Sequence, residues 1–273
     1  WQPLPVIEGG ISMNRIHQAF DHGPAFITFL TAGDPAPDKT VEYILEMERG
    51  GADLVEIGIP FSDPIAEGVV IQEANIRALS GHTKIKDVFN IVRNVRKHSQ
   101  IPLVFMTYVN PVFNYGTERF FADCATTGVD GIIIPDLPFE ERSECADVAK
   151  KHGVSLISMV APTSQDRIEA IAAVGDGFLY VVSSLGVTGT RTKITTDLKE
   201  MTDLIRSVTS IPAAVGFGIN TPEQASAVAA VADGVIVGSA IVKIIGRYKD
   251  EAGPRIYDYV KMMKAAVRKA AEK

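Results

Sequence analysis

From residue 26 onward, short runs of apolar, often β-branched residues alternate with longer stretches in which apolar residues recur every three or four positions. Runs of the first kind suit strands buried on both faces, and stretches of the second kind suit amphipathic helices that cover them. Their alternation predicts repeated βα units around a parallel sheet. Eight runs read as strands: residues 25–30, 54–57, 103–107, 131–134, 155–160, 178–182, 213–216 and 234–237. Between them, Val41, Ile44, Leu45 and Met47, or Ile168, Ile171 and Val174, mark apolar faces at helical spacing. Segments 33–37, 163–165 and 220–222 carry proline, aspartate, serine or threonine where a strand hands over to a helix N-terminus, and read as βα loops.

Eight strands in regular repeat favour closure into a (β/α)8 barrel, the TIM-barrel class of α/β folds, over the alternative of a doubly wound open sheet. An extra amphipathic helix at residues 13–21 precedes the first strand and is placed to plug the bottom of the barrel. No proline- or glycine-rich linker divides the chain, so residues 13–273 read as one barrel domain. Residues 1–12 read as a glycine-bearing leader before Met13, its origin, native or added, left open.

The 273 residues match the roughly 250 of such a barrel and suffice to bury about three quarters of the unfolded surface. The formal charge of −6 arises without a lysine or arginine run, and the densest basic stretch, 93–97, alternates with apolar residues as a solvated helix face does. Nucleic acid is therefore not an expected partner. Apolar runs such as 131–135 and 213–217 fall far short of the about 18 residues a membrane span needs, so no transmembrane helix is expected. Cys124 and Cys145 fall on predicted helices away from any CxxC or Cys/His spacing, and the start carries no basic segment followed by an apolar core. A reducing cytoplasm fits best.

In a closed barrel the chemistry gathers at the C-terminal ends of the strands. The second half of the chain places glycines at three of those ends, 183–189, 216–219 and 238–239. Glycine lets backbone N–H groups approach an anion, and a following helix N-terminus adds positive potential. Val237-Gly238-Ser239-Ala240 leads into the apolar stretch 241–245, which fits the short extra helix of a barrel phosphate site. One pair of glycines would need no more than a tight turn to explain it, but three such ends together point to phosphate.

Glu56 follows directly on Leu54-Val55. A glutamate at a strand end is often simply solvated or ion-paired, yet aimed into a barrel it gains a raised pKa useful for proton transfer. Glu67, Asp63 and Asp34 sit in polar loops where capping and turn roles compete with chemistry, and Asp63, before Pro64, reads as a turn residue. The histidines His17, His22, His82, His98 and His152 are scattered over helices and turns, with no HExxH, Cys cluster, GxxxxGK[ST] or GxSxG, so no metal, nucleotide or serine-hydrolase site is expected.

The segments Phe29-Leu30-Thr31-Ala32-Gly33-Asp34-Pro35, Glu56-Ile57-Gly58-Ile59-Pro60-Phe61-Ser62-Asp63-Pro64, Gly186-Val187-Thr188-Gly189 and Gly216-Phe217-Gly218-Ile219 together resemble the tryptophan synthase α subunit family. The resemblance spans Met13 to the C-terminal helix. It implies a lyase of tryptophan biosynthesis that cleaves indole-3-glycerol phosphate to indole and glyceraldehyde 3-phosphate by a cofactor-free retro-aldol reaction. It places Glu56 as the proton shuttle and puts Glu67 where the family carries an aspartate that receives the indole N–H. Gly189, Gly218, Gly238 and Ser239 are implied to bind the phosphate, Thr188 to contact the loop after strand two, and Phe29, Tyr108, Ile134 and Tyr180 to wall the substrate. The sequence departs from the family at Glu67, at Val69, where a proline is usual, and at Ser184, where many members carry arginine.

The resemblance further implies a pyridoxal-phosphate-dependent β subunit as partner in an α2β2 assembly, docked on Pro64, residues 110–113 and residues 136–138, with the pyridoxal phosphate in the partner only. Two alternatives stay open: a barrel that binds ligand and activates the β subunit with little chemistry of its own, and another phosphate barrel such as a sugar-phosphate isomerase or epimerase.

Overall fold

A computed structural model describes residues 15–161, 167–183, 191–216 and 218–271, with backbone only for 191–197. Eight parallel strands close into a barrel in sequence order: β1 (Ala25–Thr31), β2 (Leu54–Gly58), β3 (Leu103–Met106), β4 (Gly131–Ile133), β5 (Ser155–Val160), β6 (Leu179–Val182), β7 (Ala213–Gly216) and β8 (Gly234–Val237). Each lies where an apolar run predicts it, with ends moved by no more than one residue. The strands are sealed on both faces, which is why they read as near-continuous apolar runs rather than alternating ones.

The helices that cover the sheet are α1 (Pro37–Gly50), α2 (Val69–Ser80), α3 (Ile85–Arg96), α4 (Val109–Tyr115), α5 (Thr117–Thr127), α6 (Ser143–Lys151), α7 (Ile168–Ala173), α8 (Arg191–Val208), α9 (Pro222–Ala229), α10 (Ser239–Tyr248) and α11 (Ala252–Ala271). Helix α9 shows how locally the sequence directs this: Thr221 accepts from the Gln224 N–H, Gln224 returns the bond to the Thr221 N–H, and Pro222 opens the first turn.

Side chains alternate strictly between two cores. Ile27, Leu54, Val104, Ile133, Ile157, Phe178, Tyr180, Ala214 and Ile236 fill the barrel, while Leu30, Val55, Phe105, Ile132, Val181, Val215 and Val237 face the helices. This parity carries Glu56 inward, because its register partners are Phe29 on β1 and Val104 on β3.

The bottom of the barrel is closed with polar ties. Asp53, Asp130 and Asp233, each just before an even-numbered strand, accept the N–H of Phe26, Leu103 and Ala213 at 2.6, 2.8 and 2.9 Å. Their remaining charge is met by Lys264, by Arg15 and Arg96, and by Arg206. The helix expected at residues 13–21 is, among the described residues, a 3-10 helix, Arg15–Phe20, whose Ile16 and Ala19 join the barrel-interior core and plug its lower end. The helix after β8 is longer than expected, starting at Ser239 and ending at Tyr248. The leader 1–12, Met13 and loop segment 163–165 lie outside the described residues.

Candidate active site

At the upper end, the inward side chains of Phe29, Glu56, Met106, Met159, Tyr180 and Ile236 floor a cavity of about 620 Å³. The loop after β2 (Ala66, Glu67, Gly68), Pro135, the loop after β7 (Gly218, Ile219, Asn220) and the start of α10 (Gly238, Ser239, Ala240) wall it. The size suits one small molecule, and the lining is apolar with polar groups at two places.

The first place is the pair of glutamates. Glu56 is 1 % exposed, and neither carboxylate oxygen has a hydrogen-bond partner among the described residues. Burial alone raises its pKa to about 8, so at neutral pH it is largely a protonated acid that needs little free energy to give or regain a proton. Tyr180 is buried near enough to Glu56 that the carboxylate helps burial keep the phenol neutral. Gly216 makes room for it, since a methyl group there would overlap the Tyr180 hydroxyl.

Glu67 is half-buried in the loop between β2 and α2. Its Oε2 accepts from Asn75 Nδ2 at 2.6 Å, and its backbone carbonyl accepts from Gln72 Nε2 at 2.7 Å. Burial raises its pKa, opposed by hydrogen bonds from Asn75 and Tyr108. The Tyr108 hydroxyl also accepts from the Ala66 N–H at 3.1 Å, and its ring lies 5.4 Å from that of Phe61. Tyr108 therefore holds the glutamate loop from behind rather than lining the cavity.

The second polar place is the lip formed by the loop after β7 and the start of α10. Gly218 stands at φ +80°, a left-handed conformation that side chains disfavour. In α10 the first intrahelical bonds run from the Ile241 and Val242 N–H groups to Gly238 O, at 2.9 and 3.1 Å. The Ser239 and Ala240 N–H groups precede them at the positive end of the helix dipole, an arrangement that receives an anion. One turn further, Lys243 lines the same cavity as an exposed cation.

The structure thus brings together Phe29, Glu56, Glu67, Tyr180, Gly218, Gly238 and Ser239. It does not bring Ile134 to the cavity. Strand parity turns Ile133 into the barrel and Ile134 outward, where it lines an adjoining hollow of about 190 Å³ with Leu137, Phe139 and Arg142. Thr188, Gly189 and Ser184 lie outside the described residues. Asp34 is taken up structurally, since its carboxylate receives Arg77 Nε and Nη2 at 2.8 Å each, tying the loop after β1 to α2. Asp63 receives the Ser62 hydroxyl within its own turn.

Asn75, Lys243, Asn220 and Tyr259 were not foreseen. Tyr259 comes from the C-terminal helix and donates to Asn220 O at 3.0 Å. Among the described residues, no group of three or more His, Cys, Asp or Glu side chains is placed to hold a metal ion.

The same upper face presents the segments expected to dock a partner. Residues 110–113 lie on α4 rather than on a loop, and Asp136 accepts the Val109 N–H at 2.9 Å, joining the ends of β3 and β4. Ile65 and Phe113 are large apolar side chains exposed there, at 77 % and 46 %.

A family model described as tryptophan synthase alpha chain matches residues 17–271. The tryptophan synthase alpha chain of Clostridium kluyveri is 49 % identical over 265 residues, covering 95 % of this chain and all of that one. The Lacticaseibacillus casei chain of the same name is 46 % identical over 255 residues, covering 93 % and 96 %. Among solved structures, tryptophan synthase alpha chain from Legionella pneumophila superposes with a TM-score of 0.85 at 36 % identity, covering 94 % and 98 %. A chain from the tryptophan synthase α2β2 complex of Pyrococcus furiosus does so with 0.82 at 37 %, covering 88 % and 98 %.

Proposed function

The chain belongs to the tryptophan synthase alpha chain family, and we infer from that premise that its cavity cleaves indole-3-glycerol phosphate to indole and glyceraldehyde 3-phosphate. The observation that carries the assignment of roles is that two carboxylates and a helix N-terminus line a single cavity. The phosphate sits against Gly218, Gly238, Ser239 and the first turn of α10, with Lys243 adding charge. The indole ring lies in the apolar floor near Phe29 and Tyr180.

Protonated Glu56 gives its proton to C3 of the indole. The positive charge that develops on the ring nitrogen is relieved by Glu67, whose ionised carboxylate accepts the N–H. Glu56, now a carboxylate, takes the proton of the glycerol hydroxyl adjacent to the breaking bond. The O–H electron pair becomes the aldehyde C=O, and the C–C pair returns to the ring and neutralises the nitrogen. Glu56 ends as it began, protonated. These steps are proton transfers that the two carboxylates supply, and pyridoxal phosphate is assigned to the β subunit.

The β subunit is the partner, in an α2β2 assembly, and the face bearing Pro64, Ile65 and Phe113 is the assigned contact. No helix among the described residues is long and apolar enough to cross a membrane. The cytoplasm is the compartment assigned, supported by Cys124 and Cys145, which are free thiols buried in α5 and α6.

Calorimetric titration with indole-3-propanol phosphate, a substrate analogue without the labile bond, tests the site. Binding of this analogue in preference to a pentose phosphate is expected, and the reverse preference overturns the reading in favour of a sugar-phosphate enzyme.

A further inference from the structure

Asn75 occupies a position that ordinary helix packing does not explain. It falls in the middle of α2 at the i+4 position of the buried stripe Ile71, Ala74, Asn75 and Ala78, and it is 3 % exposed. Asparagine is a weak helix former, and burying its amide costs free energy unless the amide is hydrogen-bonded. Its Nδ2 spends that bond on Glu67 Oε2, at 2.6 Å. A carboxylate only accepts, so the amide N–H is necessarily the donor.

The length of Glu67 matters to this contact. An aspartate at the same backbone position would draw the carboxylate back by about one C–C bond, roughly 1.5 Å. The 2.6 Å contact would then open beyond hydrogen-bond range unless the loop moved. Tyr108 also hydrogen-bonds Glu67, and Glu56, Tyr180, Lys243 and Tyr259 are the other titratable groups that line the same cavity.

We propose that Asn75 is a positioning residue of the cleavage reaction, matched to glutamate at 67: its amide fixes Oε2 and so presents Oε1 to the ring N–H of the substrate. This rests on the catalytic role given to Glu67 above. Asn75 touches no reacting atom and acts only through Glu67.

The test measures kcat, KM and the pH profile of indole release for Asn75→Ala and for the isosteric Asn75→Asp, each with glutamate and with aspartate at 67, beside Glu67→Ala. With glutamate at 67, Asn75→Ala lowers kcat about tenfold or more and changes KM less than threefold. The acidic limb of the profile moves to higher pH, because ionised Glu67 has lost a donor. Asn75→Asp keeps the shape of the side chain, sets a like charge against Glu67 and moves that limb further. With aspartate at 67, Asn75→Ala costs less than threefold. An acidic limb unmoved in both Asn75 variants, or an equal cost in both backgrounds, leaves Asn75 a packing residue and overturns the proposal. Full activity in Glu67→Ala instead removes the catalytic reading on which it rests.

Discussion

Phe29 and Glu56 are register partners on neighbouring strands, both turned into the upper mouth of the barrel. The strand pairing that puts an aromatic ring beside the carboxyl is also what deprives the carboxyl of water. Burial in that mouth raises the pKa of Glu56 to about 8.

Burial of Glu56 makes stability depend on pH. Its pKa is raised in the folded state, so the folded chain holds a proton that the unfolded chain releases above its ordinary value of 4.5. The stabilising effect of that proton is complete below about pH 4.5 and is lost as pH rises to about 8. Urea titrations are expected to show the parent chain losing, on the order of, a few kcal/mol relative to Glu56→Gln across that window. Parallel stability curves for the two proteins would contradict the assignment.

Arg77 and Asp34 form a forked pair in which the carboxylate is 1 % exposed and the arginine 31 %. Arg77→Ala leaves a buried carboxylate unpaired and is expected to cost about 2–3 kcal/mol in urea unfolding. Arg77→Lys restores part of this only, because an ammonium cannot meet both oxygens in the same plane. A loss below about 0.5 kcal/mol in Arg77→Ala would show that water replaces the guanidinium freely.

Ser239→Asp separates stability from ligand binding. A carboxylate in the first turn of α10 favours the helix dipole by about 0.3–1 kcal/mol, so thermal stability is expected to hold or rise. The same charge repels a phosphate from the Ser239 and Ala240 N–H groups, and affinity for indole-3-propanol phosphate is expected to fall at least tenfold. Unchanged affinity, read by calorimetry, would move the phosphate away from this helix.

Gly218→Ala probes the other side of that lip. At φ +80° an alanine is strained by roughly 1 kcal/mol, and the backbone relaxes away from the phosphate. An increased KM with kcat nearly preserved is the expected pattern in steady-state kinetics. A fall in kcat alone would place Gly218 at the reacting end instead.

Much of this architecture is legible in the chain because parallel strands are sealed on both faces and announce themselves as apolar runs. Glu56 stands out for the same reason, as a charge inside such a run. Ile134 is named as a substrate wall by the resemblance alone, and the register of β4 with β3 and β5 makes Ile133 the inward residue instead. Lys243 and Tyr259 reach the cavity from helix positions beyond the strand ends, brought there by barrel closure and the packing of α11. Asn75 did leave a signal, a polar residue inside the apolar stripe of α2, but its partner Glu67 is eight residues away and becomes its neighbour only when the loop folds back.

The most direct test of the whole account is the steady-state rate of indole release from indole-3-glycerol phosphate by the parent chain and by Glu56→Gln, each with and without a β subunit. The account predicts cleavage by the parent chain, raised by the β subunit, and a loss on the order of a hundredfold to ten-thousandfold in Glu56→Gln under both conditions. Stimulation of the β subunit by a parent chain that releases no indole, or undiminished cleavage by Glu56→Gln, would contradict it.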